Sequence, residues 1–171
     1  MELKLKYGQS EIPLEIPDAN VAGVLTLPES SPPISDLASA VRAALNNPSG
    51  MPPLSELIKT KKPKNVVIVL EDITRPNPDY TVWLGELVSE LKSAGVKSAK
   101  FIIAYGTHRK HKPEETKRIY GAVPDGFGEV YDHDCDDAAN LVSLGKLSTG
   151  NDLIVNRHAA EADFVVLTGN I

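Results

Sequence analysis

The segment Asn65-Val66-Val67-Ile68-Val69-Leu70 runs directly into Glu71-Asp72-Ile73-Thr74-Arg75-Pro76. The first half is a continuous apolar run of strand length, as expected for a strand buried on both faces of a sheet. The second half is polar and ends in proline, so the strand must stop there and the chain must turn. A strand covered on both faces belongs to a parallel sheet flanked by helices. In such a sheet ligands bind beyond the carboxyl ends of the strands, where this turn lies.

Downstream the pattern repeats. Asn77-Pro78 reads as the start of a helix, with Asn as cap and Pro in the first turn. Leu84, Leu87, Val88 and Leu91 form its apolar stripe, and Gly95 closes it. Residues 99–104 are the next strand, and 113–120 one or two helical turns. Residues 128–132 and 152–156 are further strands, 157–162 a short helix, and 163–168 a final buried strand. Strand and helix alternating at this spacing imply right-handed crossovers. The fold class predicted is α/β, with a mostly parallel, Rossmann-like sheet and flanking helices.

Upstream, Leu3-Lys4-Leu5-Lys6-Tyr7 and Ile12-Pro13-Leu14-Glu15-Ile16 alternate around Gly8 to Ser10 and predict an N-terminal β-hairpin with one face buried. Pro13 marks the second run as an edge strand. Residues 28–53 hold six of the 13 prolines, so this stretch reads as an arm rather than a separate domain. Within it Leu37, Val41, Ala44 and Leu45 recur at helical spacing, with Ser35 as the expected N-cap and Asn46-Asn47-Pro48 as the end. A second short helix is expected from Leu54 to Ile58. The organisation predicted is one domain over 1–171, with the hairpin and Pro-rich arm in 1–64 and the α/β core in 65–171. Because the sequence stops at Ile171 directly after a buried strand, it is expected to be excised from a longer two-domain protein.

With 171 residues, the chain can bury roughly 70% of its unfolded surface and needs no disulfide or metal to fold. The net charge of −5 argues against nucleic acid as a partner. The one basic run, Lys59, Lys61, Lys62 and Lys64, reads as a solvated connection. Cys135 is the only cysteine, which excludes an internal disulfide and fits a reducing, cytoplasmic setting. The first residues lack the apolar core of a signal peptide. No apolar stretch approaches the roughly 18 residues of a membrane span, so no membrane partner is expected.

Four polar segments are expected at strand ends: 71–76, Tyr105-Gly106-Thr107-His108-Arg109, Asn156-Arg157-His158 and Gly169-Asn170. Arg75 offers a planar fork of donors suited to a carboxylate or phosphate. Asp72, three residues earlier, is placed either to fix that fork or to accept a proton from an imidazole. His108 follows Gly106-Thr107 on a tight loop, and imidazole takes and gives protons near neutral pH. Taken singly, Asp72 with Arg75 reads as a structural salt bridge and His108 as a surface residue. Placed at consecutive strand ends, they suit proton transfer on a small anionic substrate. His108-x-x-His111 in a Lys/Arg-rich loop makes a poor metal site. The acidic run His133-Asp134-Cys135-Asp136-Asp137 reads as a solvated loop with caps. There is no Gly-rich phosphate loop. Tyr80 and Trp83 read as packing.

The strand followed by Asp72-Ile73-Thr74-Arg75-Pro76 resembles the "D-x-T-R-P" motif of the LarA-like, nickel-dependent lactate (2-hydroxyacid) racemase family. Gly106-Thr107-His108-Arg109, followed by Pro113-Glu114-Glu115, resembles the family's "G-T-H-R…PEE" motif. His133-Asp134, Leu144-Gly145, Gly150, Asn156-Arg157, Ala162-Asp163 and 165–171 continue the likeness in order. The resemblance covers about 1–171 and is strongest from residue 65.

The resemblance implies an N-terminal half of an isomerase acting on a small 2-hydroxyacid. The family moves a hydride from substrate to a nickel pincer nucleotide and back, while histidines deprotonate the hydroxyl. By that likeness His108 is one of the acid–base pair, Arg75 holds the substrate carboxylate and Asp72 orients the site. Thr74 and Thr107 contribute hydrogen bonds. The family's partner histidine, cofactor lysine and nickel ligand lie beyond these motifs, and none of His111, His133 or His158 matches them. Cofactor-binding residues are therefore expected beyond residue 171, no metal ligand is expected within it, and the missing C-terminal domain is the expected partner. This piece alone is expected to be inactive. Two competing readings are a non-catalytic module that binds a small carboxylate or phosphate through Arg75 and His108, and a metal site on His108, His111, His133 and Cys135.

Overall fold

The computed structural model describes residues 1–26, 32–75 and 77–169. Pro76, Asn170 and Ile171, which belong to the segments quoted above, lie outside the described residues. The chain divides by its internal contacts into two units, Met1–Pro33 and Ile34–Ile171.

The first unit holds the predicted hairpin. Strands β1 (Glu2–Tyr7) and β2 (Ser10–Glu15) pair antiparallel, with Tyr7 opposite Ser10. The tight turn between them places Gly8 at φ +59°, a backbone region open to glycine. The buried face does not form. Leu3 is half-buried and the other strand residues are exposed, since a two-stranded ribbon by itself supplies no second layer.

The second unit runs α1 (Leu37–Asn46), α2 (Leu54–Lys61), β3 (Val66–Glu71), α3 (Tyr80–Ser93), β4 (Ala99–Ala104) and α4 (Pro113–Tyr120). It continues with β5 (Gly128–Asp132), β6 (Leu141–Lys146), β7 (Asp152–Asn156), α5 (Arg157–Ala160) and β8 (Phe164–Leu167). Its main sheet has the order β5-β4-β3-β8, and every neighbour is parallel. The sequence's longest apolar runs, β3 and β4, occupy the centre, as their double-sided burial requires. Ile68, Leu70, Phe101 and Ile103 share one core cluster with the α3 stripe of Leu84, Leu87, Val88 and Leu91. On the opposite face of the same strands Val67 and Ile102 are also buried.

Three local expectations are corrected. The N-cap of α1 is Asp36, not Ser35: its carboxylate accepts the Ser39 N–H at 2.9 Å and the Ser39 hydroxyl at 2.7 Å. Helix α3 begins at Tyr80 rather than at Asn77-Pro78, because the Asn77 side chain accepts the Asp79 N–H and closes a turn before the helix. Strand β7 is outside the parallel sheet. It pairs antiparallel with β6, which the sequence reading missed, in a separate ribbon with an irregularity between Ser143 and Lys146. An apolar run this short does not by itself distinguish a ribbon strand from a sheet strand. Among the described residues no helix is long and apolar enough to cross a membrane.

Candidate active site

Because β3 and β4 are parallel neighbours with Glu71 opposite Ala104, the loops that leave their carboxyl ends emerge side by side. Both loops turn immediately. The Asp72 carbonyl accepts the Arg75 N–H, and the Tyr105 carbonyl accepts the His108 N–H, with Gly106 at φ +60°. The turns carry Asp72 and His108 toward each other. His108 Nδ1 lies 2.7 Å from Asp72 Oδ2.

Asp72 is the buried charged side chain of this region, at 5% exposure. Its other oxygen, Oδ1, accepts the Thr74 hydroxyl at 2.5 Å and the Thr74 N–H at 3.0 Å. Burial pushes the carboxyl pKa up, but hydrogen bonds from Thr74 and His108 outweigh it, and the net direction is down. Asp72 is therefore ionised at neutral pH. An ionised acceptor at Nδ1 favours the imidazole tautomer with its proton on Nδ1. Nε2 then keeps its lone pair, on a ring that is 53% exposed. Thr74 Oγ1 also lies 3.4 Å from His108 Nδ1.

The remaining predicted site residues are placed differently. Arg75 leaves the same loop as Asp72 but forms no salt bridge with it. It lines a hollow of about 330 Å³ with Ile73, Asn77, Thr81, Arg118 and Ile119. His108 is not part of that wall. Thr107 is exposed, and its hydroxyl has no hydrogen bond among the described residues. The segment Asn156-Arg157-His158 does not follow a strand of the parallel sheet, because β7 lies in the other ribbon. There His158 contacts Lys100, near the amino end of β4, and Tyr131. Asn156 instead reaches His133, with 3.3 Å between Asn156 Nδ2 and His133 Nδ1. Gly169 stays beside the site: a Cβ there would lie 3.5 Å from Glu71 Oε2.

Sequence reasoning missed the support beneath the pair. The Tyr120 hydroxyl donates to the Glu71 carbonyl at 2.5 Å, and the Tyr80 hydroxyl accepts the Glu71 N–H at 3.1 Å. Two residues read as packing or as helix therefore hold the last residue of β3, one at its N–H and one at its carbonyl, by their polar ends. His111 Nε2 accepts the Ile73 N–H at 2.8 Å. The motif residue Glu115 takes both ends of the Arg109 guanidinium at 2.8 Å and the Lys112 N–H at 2.8 Å. That Arg109 fork and the Lys112 amide lower its carboxyl to about 2. Of these, only the Glu115 contact has a local sequence signal: an acid at the third residue of α4 can reach back to the amide of the residue before the helix, as it does at Lys112.

Among the described residues, one group of His, Cys, Asp or Glu side chains is close enough to share an ion: Asp134, Cys135 and Asp136, on the acidic loop. No histidine joins it, so the four-residue site of His108, His111, His133 and Cys135 does not assemble.

Comparison with known proteins bears on this geometry. Residues 7–171 match the model of the lactate racemase N-terminal domain family. The chain is 32% identical to the lactate racemase of Thermoanaerobacterium thermosaccharolyticum, over 99% of this chain and 39% of that protein. It is also 32% identical to the lactate racemase of Lactiplantibacillus plantarum, over 99% of this chain and 40% of that protein. The structure of the lactate racemase apoprotein from T. thermosaccharolyticum superposes with a TM-score of 0.81, at 29% identity, covering 98% of this chain and 38% of that one. The chain thus spans about two fifths of its relatives' length. From a family match that runs from the hairpin through β8, and a superposition over nearly the whole chain, it follows that this protein belongs to the lactate racemase N-terminal domain family.

Proposed function

We propose that this chain is the N-terminal, acid–base half of a lactate-type 2-hydroxyacid racemase or epimerase. One observation carries the proposal: the buried, ionised Asp72 bound to Nδ1 of the exposed His108. This is the arrangement a general base needs. The carboxylate fixes ring and tautomer and stabilises the imidazolium once the proton arrives. His108 Nε2 takes the proton from the substrate's α-hydroxyl and later returns it. Thr74 holds the Asp72 carboxylate in place. Arg75, exposed and without an ion pair among the described residues, holds the substrate carboxylate by turning from the hollow beside Arg118 toward His108, and Thr107 adds a hydroxyl from the His108 loop.

The family likeness implies a nickel pincer nucleotide, which supplies the hydride acceptor. Among the described residues, the donors do not fit a nickel centre of their own. His108 is engaged by Asp72, His111 by the Ile73 amide, and the one candidate ion group is an exposed acidic turn. The ligands and the lysine that anchor the cofactor are assigned to polypeptide outside these residues. The chain alone is accordingly expected neither to keep the cofactor nor to racemise.

The test is racemisation of several 2-hydroxyacids, lactate first, by the full-length protein supplied with the cofactor, with His108→Ala as control. Interconversion lost in the control supports the assignment. No interconversion of any 2-hydroxyacid overturns it.

A further inference from the structure

His111 takes no part in the acid–base step, yet its ring is built into the floor of the site. Its Nε2 accepts the Ile73 N–H at 2.8 Å, across 38 residues of sequence. Ile73 is the residue after Asp72, so this bond anchors the turn that carries the carboxylate. The ring stands edge-on to Tyr105, centroids 4.9 Å apart at 83°, and lies 6.1 Å from the ring of Tyr120. Its other nitrogen, Nδ1, is buried with no hydrogen-bond partner among the described residues. An imidazole that accepts at Nε2 must carry its proton on Nδ1 and be neutral. The protonated ring would set one N–H against another at Ile73.

We propose that His111 is a positioning residue for the Asp72–His108 pair. Its neutral Nε2 fixes the Ile73 amide and thereby the direction of the Asp72 carboxylate that His108 needs. Burial lowers its pKa and keeps the ring neutral. Among the charged groups facing it, Asp72, Glu115 and Asp132 favour the charged form and Arg109 opposes it. The two motif loops are thus joined twice, once by Asp72 and His108 and once by Ile73 and His111. The role of the pair in catalysis rests on the function proposed above, but the positioning itself is readable without any substrate.

The experiment uses the 171-residue chain, labelled with ¹⁵N, as the parent form, His111→Phe and His111→Gln. Phe keeps a ring but no acceptor, whereas Gln restores an acceptor. Two quantities are read: hydrogen exchange at the Ile73 amide, and the Nδ1–H proton resonance of His108. In His111→Phe the Ile73 amide is expected to exchange about tenfold faster, with amides in β3 such as Ile68 unchanged, and the His108 resonance is expected to broaden or vanish. His111→Gln is expected to recover both. Unchanged Ile73 exchange and an unchanged His108 resonance in His111→Phe would overturn the proposal, as would a failure of Gln to recover either. Should the Phe variant not fold, the parent chain gives the same answer by acid titration. Ile73 protection is expected to fall as His111 protonates, and protection that persists through that titration overturns the proposal. Failure of racemisation in the full-length protein leaves all these readings intact, so the two ideas fail separately.

Discussion

Asp72 Oδ2 and His108 Nδ1 lie 2.7 Å apart, although 36 residues of sequence separate them. One partner is buried and the other more than half exposed. The carboxylate sits where water cannot compete for it, and the imidazole sits where a substrate can reach it. This asymmetry sets the expected results of the first two substitutions.

Asp72→Asn keeps the size of the side chain but removes the charged acceptor, leaving His108 free to adopt the wrong tautomer. In the full-length, cofactor-loaded protein, kcat is expected to fall by roughly 10²- to 10⁴-fold, with a smaller change in KM. Steady-state racemisation kinetics check this, and a kcat within threefold of the parent would remove Asp72 from the mechanism.

His108→Ala removes an exposed ring but leaves the buried Asp72 carboxylate one partner short, so a folding cost of about 1–3 kcal/mol is expected, less than the stability of an ordinary domain. Racemisation should nonetheless be lost by roughly 10²-fold or more. Urea unfolding of the chain and activity of the full-length protein give the two halves of the comparison. Equal losses in both would mean that the residue is structural.

Glu115 provides the pH dependence. Its carboxyl is lowered to about 2 by the Arg109 fork and the Lys112 amide. A depressed folded-state pKa means that its contribution to stability is present above the ordinary glutamate value of 4.5 and is lost as pH falls toward about 2. Glu115→Gln should therefore be less stable than the parent at pH 7, and the gap should close as the pH is taken down to about 2. Denaturant unfolding across that range measures it; a gap that does not shrink argues that packing, not charge, accounts for the loss.

Tyr120→Phe deletes the hydroxyl that donates to the Glu71 carbonyl and leaves the buried ring in place. The expected cost is about 1 kcal/mol, the usual net value of a hydrogen bond whose acceptor is left buried. Chemical denaturation gives the number. A neutral result would mean that Tyr80 and the strand ladder hold the last residue of β3 unaided.

The parts of the fold written in local signals were legible from the chain. The apolar runs of β3 and β4, and the loops after them, are marked by contiguous hydrophobic residues and by Gly106 and Asp72 at the turns. Asp72, Thr74 and His108 could be named for the same reason: sheet order puts consecutive strand ends together. What could not be read depended on partners distant in sequence. Tyr120 and Glu71 are 49 residues apart, and His111 and Ile73 are 38 apart; nothing in either neighbourhood signals the other. Arg75 shows the opposite difficulty. Its loop was predictable, but whether its side chain faces His108 or the hollow beside Arg118 depends on side-chain packing, not on strand position. The β6–β7 ribbon escaped because a short apolar segment carries no mark of the strand that will claim it.

The pairing of Glu71 with Ala104 has one further consequence. It makes the spacing between base and carboxylate a property of the ladder rather than of either loop. Length changes in the turns at the far end of the sheet can accumulate during divergence without moving the proton-handling groups. A single residue inserted in β3 or β4 would shift one strand end by about 3.3 Å against the other and turn its side chains to the opposite face. Natural relatives that keep the chemistry should therefore vary in length at the far-end turns and hold the lengths of those two strands constant.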